Sequence, residues 1–317
     1  MMSLKDISKN WDRFFFEPQS VDSLAFFRIV WGIILFINFL TYIPNVQDFY
    51  GPHAIISFDT VKSQFDFFHL NLFYLFPMNY DIVYGALWIY GLSLLGVIFG
   101  LFTRTSLVVS CLLLISFHHR NIWLLSGSEL IMRLVSVYLV FSPCGHALSL
   151  DALLGKKYKE FRRESNWAPW AMRLIQIQTM VIYVWTVWNK MKGNLWFEGT
   201  AVYYATRLES FYNYPSGLLL DSKVFIALMT WGTLIIELSL GLLIWFKELR
   251  KPLLVLGIIF HVGIDYTMSI PFFEYVMIAL LLLYLTPQEV RVFVDKIKEV
   301  WSLAVNFTDK KLSALRG

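Results

Sequence analysis

Apolar runs of roughly helix length alternate along this chain with short polar or basic stretches. Eight runs stand out, at 22–42, 82–102, 105–118, 128–143, 168–189, 223–246, 252–268 and 272–287. A helix that crosses a bilayer needs about 20 mostly apolar residues. The third and fourth runs are short, and His118-His119-Arg120-Asn121 divides them. That tetrad is too polar to face lipid, so it predicts a turn between two helices. The expectation is an all-α, polytopic membrane bundle of about eight transmembrane helices over 22–287. A polar segment, 1–21, precedes it and a basic tail, 288–317, follows it. In the tail, EVRVFVDKIKEVWSLAV spaces apolar residues at helical intervals with charges between them, the pattern of an amphipathic surface helix. The first 20 residues lack the apolar core and small-residue cleavage site of a removable signal, so the first run is expected to direct insertion itself.

Composition supports this reading. Hydrophobic residues make up 57% of the 317 and charged residues only 16%. A soluble domain carries about a quarter charged residues, so a soluble enzyme and a disordered chain are both excluded. The aromatic share of 18% fits rings gathered at bilayer interfaces. The net charge of +4 is small and sits mostly in loops, which argues for a topology signal and against a nucleic-acid partner. With the N-terminus inside, inner segments hold 18 of the 27 Lys and Arg, outer segments six and helices three. That bias predicts both termini in the cytoplasm, with the bilayer as the principal partner. Two outer segments, about 43–81 and 190–222, are long and aromatic-rich and are expected to cap the outer mouth. Cys111 and Cys144 have neither disulfide-framework nor metal spacing.

Charged groups inside a membrane need a reason. Arg28 lies near the start of the first helix, within snorkelling reach of the inner face. Glu129 and Arg133 stand one turn apart in the favourable acid-first order and are expected to form a structural pair. Arg173 is expected to anchor the inner interface, and Gln176 to join a buried network. Glu237, in WGTLIIELSLGLL, has no basic residue within a turn and calls for a partner from another helix. His261 and Asp265 are also one turn apart, so both face one side of a helix and the carboxylate is placed to orient the imidazole. Lys190 and Lys192 stand where the fifth run ends; a partly buried lysine can serve as a general base, and an interfacial anchor is the plainer role. The adjacent His118 and His119 point to different helix faces, and the chain has no HExxH, phosphate loop or GxSxG elbow, so no metal is expected.

Six stretches together carry a resemblance. They are SLAFFRIVWG, GLFTRTS, RNIWLLSG, SLDALLG, KMKGNLWFEG and FHVGIDYTMSIPFFEYVMIA, in this order from about residue 22 to 290. In this the chain resembles the membrane domain of vitamin K-dependent gamma-carboxylases and their bacterial relatives, the HTTM family. The resemblance implies quinol-linked chemistry in an outward-facing cavity. A reduced quinone, menaquinone or vitamin K hydroquinone, would be the cofactor. Lys190 and His261 would be its catalytic residues, and Asn121, Trp196, Glu237 and Asp265 would line the cavity. The carboxylases carry two lysines before the WxEG turn, the second being the base; here Lys190 falls on the first position and Met191 on the second. Ile122 stands where they have a histidine after Asn121, and the large outer domain with which the carboxylases bind protein substrates is not expected within these 317 residues. These departures turn the expectation away from glutamate carboxylation itself. Two further readings stay open: a non-catalytic subunit that helps mature or export a secreted peptide, with a separately encoded outer domain or peptide as partner, and a lipid- or peptide-handling transferase.

Overall fold

A computed structural model describes residues 4–64, 70–158, 166–211, 213 and 222–314. The basic stretch 159–165 and the Pro-containing loop 214–221 lie outside the described residues. The chain is helical. An amphipathic α1 (Leu4–Phe16) precedes α2 (Asp22–Tyr42), and the short α3 (Val46–Phe49) and α4 (Phe58–Ser63) follow. Next come α5 (Tyr80–Phe99), α6 (Thr103–Arg120), α7 (Gly127–Val140) and α8 (Leu150–Tyr158). The second half holds α9 (Trp170–Lys190), the short α10 (Asn194–Phe197) and α11 (Ala201–Ala205), α12 (Lys223–Leu242), α13 (Lys247–Thr267), α14 (Phe273–Leu282) and α15 (Pro287–Ala314). One two-residue antiparallel ribbon joins Gln19–Ser20 to Asn166–Trp167.

Every predicted apolar run is a helix: α2, α5, α6, α7, α9, α12, α13 and α14 in turn. The count of spans needs correction. Among the described residues, three helices are long and apolar enough to cross a membrane: Asp22–Phe49, Tyr80–Phe99 and Lys223–Leu242. A fourth appears if α14 and the first half of α15, bent by 112°, are taken together. The others fall short for two reasons. α7 and α14 are short, at 14 and 10 residues. α6, α9 and α13 carry charged ends and polar positions on faces that turn inward.

The helix ends follow local chemistry. Asn79 caps α5 by accepting from Ile82 N at 2.9 Å. Gly100 ends that helix at φ +67°, a left-handed conformation suited to glycine. Ser126 and Glu129 form a capping box on α7. In the first half α2 packs on α5, α5 on α6 and α6 on α7; in the second, α9 packs on α12 and α13 on α14. α14 also touches α2, α7 and α9, which joins the halves. Phe27, Trp31, Tyr90, Phe117, Met132 and Ile175 are fully buried in the resulting core. Large apolar side chains such as Ile37, Leu92, Trp188 and Ile235 remain exposed on the outside of the helices. Apolar surface on this scale marks a membrane-facing exterior.

Arg28 does not snorkel. It is buried and donates to Cys144 O at 3.1 Å and Leu148 O at 2.6 Å. It thereby ties α2 to the loop before α8; Asp151, in the first turn of α8, caps α6 by accepting from Phe102 N and Thr103 N. Arg173 donates to Gln176 Oε1 at 2.9 Å and lies over Phe14, so it anchors α1 to α9.

Candidate functional site

Polar residues recur on α9 at positions 173, 176, 179, 183, 186 and 190, intervals of three and four that form one stripe. Apart from Gln178 and Asn189 the rest of the helix is apolar, so the stripe turns to the neighbouring helices. Antiparallel α12 lies close against it: a Cβ built on Gly241 would sit 3.2 Å from Tyr183 Cβ and Val184 Cγ2. That close approach brings Glu237, one turn earlier on α12, level with the end of α9.

The partner that Glu237 needed is Lys190. Its Nζ is bonded to Glu237 Oε1, and Thr186 Oγ1 approaches Glu237 Oε2 at 3.4 Å. The lysine side chain is 25% exposed and the glutamate 10%, so the amine is the end that can be reached from outside. Nζ also lies 5.1 Å from the Trp196 ring centre. Trp196 O accepts from Trp231 Nε1 at 3.1 Å, which fixes α10 to α12. The turn Met191–Gly193 thus ends α9 at the ion pair, and α10 and α11 continue along α12.

Two turns earlier on the same stripe, the Tyr183 hydroxyl meets His261 Nε2 at 2.8 Å. His261 Nδ1 is bonded to Glu274 Oε2. With the carboxylate accepting, Nδ1 carries the proton and the phenol donates to Nε2, an assignment made from the hydrogen-bond network. The imidazole and carboxylate side chains are only 3% and 1% exposed. Seven residues separate Tyr183 from Lys190, which places both on one face of α9 about 10 Å apart along the axis. The amine and the imidazole therefore share a face, with Tyr183 and Thr186 between them.

The other predicted residues go elsewhere. Asp265 does not orient His261; it accepts from the Tyr275 hydroxyl at 2.8 Å. The turn after α13 folds α14 back on it, and Glu274 takes the place against the imidazole. Sequence reading missed Glu274 and Tyr183. The available signal was an acid in the apolar FFEYVM run, the same signal that singled out Glu237. Glu129 and Arg133 are not an ion pair. Glu129 Oε2 accepts from Ser126 N at 2.8 Å and from the Ser126 and Ser128 hydroxyls, because the first turn of α7 needs its amides capped. Arg133 turns to His119 Nε2 at 2.7 Å, and His119 Nδ1 donates to Leu70 O. Asn121 lines a separate cavity of about 230 Å³ with Asn38, Tyr42, His118, Glu129 and Phe272; Lys190, Trp196, Glu237, His261 and Asp265 are not in its lining. Among the described residues, no three His, Cys, Asp or Glu side chains gather as a metal site.

Comparison with known proteins follows the same outline. The family model described as HTTM domain matches residues 16–288. The sporulation-delaying protein SdpB of Bacillus subtilis (strain 168) is 35% identical over 122 residues, 37% of this chain and 38% of that protein. The uncharacterized protein YitO of the same organism is 27% identical over 120 residues, 36% of this chain and 38% of its own. The chain thus aligns with under two fifths of the length of each of these relatives. No solved structure matches.

Proposed function

Because this chain belongs to the HTTM domain family, we propose that it is a multi-pass membrane protein whose α9 face performs acid–base chemistry on a lipid-phase substrate of the quinol class. The observation that carries the proposal is the convergence of two ionisable clusters, the half-buried Lys190–Glu237 and the buried Tyr183–His261–Glu274, on one stripe of α9. Unpaired charges in a membrane interior are costly, and intramembrane ionisable groups belong to functional paths more often than to scaffolding.

The donor set suits a hydroxylated ring. An ammonium whose side chain is one quarter exposed stands beside a more deeply buried carboxylate, with the Trp196 indole next to the amine. Lys190, Glu237 and Trp196 would hold such a molecule. A bound quinol would supply a ring hydroxyl that can lose its proton. Glu237 can receive a proton at its carboxylate while the Lys190 ammonium stabilises negative charge beside it. Tyr183 can pass its phenolic proton to His261 Nε2, and Glu274 stabilises the imidazolium that results. Glutamate carboxylation is not part of this reading, since Met191 and Ile122 replace the lysine and histidine of the carboxylases.

In this account α2, α5, α6, α7, α9, α12, α13 and α14 mark eight passes, the short α7 and α14 completing theirs with the turns that flank them; both termini lie in the cytoplasm and the membrane is the bacterial cytoplasmic one. The Lys and Arg bias supports the orientation. The inward-facing stripe explains why helices such as α9 look less apolar than isolated spans. α15 turns away at 112° and lies along the surface.

A second reading has one observation in its favour. The Lys190 amine is already committed to Glu237, as expected of a structural pair in a non-catalytic subunit that assists a secreted peptide or a separately encoded outer domain. Quinol oxidation decides between them. Protein in nanodiscs is mixed with reduced menaquinone under oxygen and followed by ultraviolet absorbance. Oxidation above the protein-free rate, lost in Lys190→Ala and Glu237→Gln, supports the chemical reading. A wild-type rate equal to the protein-free rate refutes it.

A further inference from the structure

The cavity beside Asn121 lies apart from the α9 stripe and has its own chemistry. Its polar wall comes from Asn38, Thr41 and Tyr42 at the end of α2, from Asn45 in the turn that follows, from His118 and Asn121 at the end of α6, and from Glu129 in the first turn of α7. Leu124, Leu125, Phe49, Pro271 and Phe272 form the apolar wall.

Among the described residues, three polar groups in this lining are buried without a hydrogen-bond partner: Asn38 Oδ1, His118 Nδ1 and Asn121 Oδ1. Their residues are 2–4% exposed. A buried polar atom left unpaired costs about 1–3 kcal/mol, and three around one hollow define a site that awaits a partner. Asn121 Nδ2 makes only a long bond, 3.4 Å, to Phe49 O, so the amide is held loosely. Tyr42 hydroxyl and His118 Nε2 bond at 3.0 Å, which holds the histidine ring in place. Across the cavity, Phe272 takes φ +61°, a left-handed conformation that is strained for a bulky side chain. The strained residue sits two positions before Glu274.

The lining also has a charge. Among the described residues Glu129 is its one formally charged side chain; Arg120 and Arg133 point away, to Gly51 O and His119 respectively. The cavity therefore offers the two amide oxygens and a carboxylate as acceptors, next to a compact apolar surface. A –NH3+ group has three donors and no acceptor.

We propose that this cavity binds a primary ammonium group carried on a small apolar body. Asn38 Oδ1, Asn121 Oδ1 and Glu129 accept its three N–H groups, and Leu124, Leu125 and Phe272 cover the carbons. The same chemistry is presented by the free N-terminus of a peptide and by the ethanolamine headgroup of a lipid. The inference stands on residues outside the α9 stripe, so it can fail or succeed independently of quinol chemistry.

The full chain is purified into phosphatidylcholine nanodiscs, whose quaternary headgroup lacks N–H donors. Binding of n-butylammonium chloride is measured by calorimetry, with n-butanol as the uncharged control. Butylammonium should bind and butanol should bind at least about tenfold more weakly. Glu129→Gln keeps the capping box and should weaken amine binding about tenfold while leaving the unfolding midpoint unchanged. Asn38→Leu, which touches no cap, should do the same. Competition by Leu-Gly-Gly, but not by its N-acetyl form, identifies a peptide source. Loss of the butylammonium signal in phosphatidylethanolamine nanodiscs identifies a lipid source. Equal binding of amine and alcohol, or full amine binding by Glu129→Gln, overturns the proposal. Binding of neither leaves the cavity to water and overturns it as well.

Discussion

His261 and Glu274 offer a sharp test, because removing one or the other leaves different groups stranded. His261→Leu leaves a carboxylate that is 1% exposed and has lost its imidazole. An uncompensated buried charge costs about 3–5 kcal/mol. Glu274→Leu strands only a neutral imidazole N–H, which costs about 1–3 kcal/mol. The double change His261→Leu/Glu274→Leu removes both polar ends and substitutes apolar groups. Its main remaining loss is the acceptor of the Tyr183 hydroxyl, about 1 kcal/mol or slightly more. The double variant should therefore be no less stable than His261→Leu alone, with a coupling energy of at least about 2 kcal/mol. Equilibrium unfolding in mixed micelles, read by tryptophan fluorescence, gives all three values. Equal single effects that simply add, within about 0.5 kcal/mol, would mean that the pair does not exist and that α14 is not folded back onto α13.

Three further predictions follow from other contacts. Lys190→Met strands a glutamate that is 10% exposed, and Glu237→Leu added to it should recover part of the lost unfolding midpoint; a double variant worse than both singles contradicts the pairing. Gly241→Ala puts a Cβ 3.2 Å from Tyr183 and Val184, so it should cost about 1–3 kcal/mol and slow any Lys190-dependent reaction, while Gly232→Ala, which meets nothing, serves as the neutral control in the same unfolding assay. Glu289 lies at the start of α15; burial raises its pKa, but hydrogen bonds from Thr286 and Lys251 outweigh that and leave it below the usual value. A depressed carboxylate stabilises above its unfolded pKa and loses that contribution as pH falls through the folded one, so α15 should loosen first in acid, seen as a fall in amide protection relative to the intrinsic exchange rate below pH 4.5, and Glu289→Gln should abolish that fall.

The helices were legible because long apolar runs with polar breaks have few other physical outcomes. The polar break at His118–Asn121 does end α6, although the helix runs on through Arg120 before it turns, and the Ser126–Glu129 capping box that begins α7 was not read from the sequence. Glu237 was legible as a residue in need of a partner, since a lone acid among leucines cannot stay ionised unaided. That Lys190 would supply it depended on Gly241, whose missing side chain sets how closely α9 and α12 approach. Pair assignments one turn apart failed twice. Asp265 and Arg133 lie within reach of His261 and Glu129 along the helix, but a capping need and a packed neighbour claimed the acid or the imidazole first. Glu274 was out of reach because its contact with His261 depends on the turn at Met268–Phe272 and on the unusual backbone of Phe272, which periodicity does not encode.

Infrared difference spectroscopy on pH steps asks most directly whether the α9 stripe behaves as one acid–base unit. Carboxyl, imidazole and phenol bands can be assigned with Glu237→Gln, Glu274→Gln and Tyr183→Phe. A shared stripe predicts that Glu237→Gln shifts the Tyr183 and His261 bands, and that Glu274→Gln shifts the Glu237 band in return. Bands at each cluster that ignore substitution at the other would contradict the account, leaving two unrelated structural pairs in a helical membrane protein.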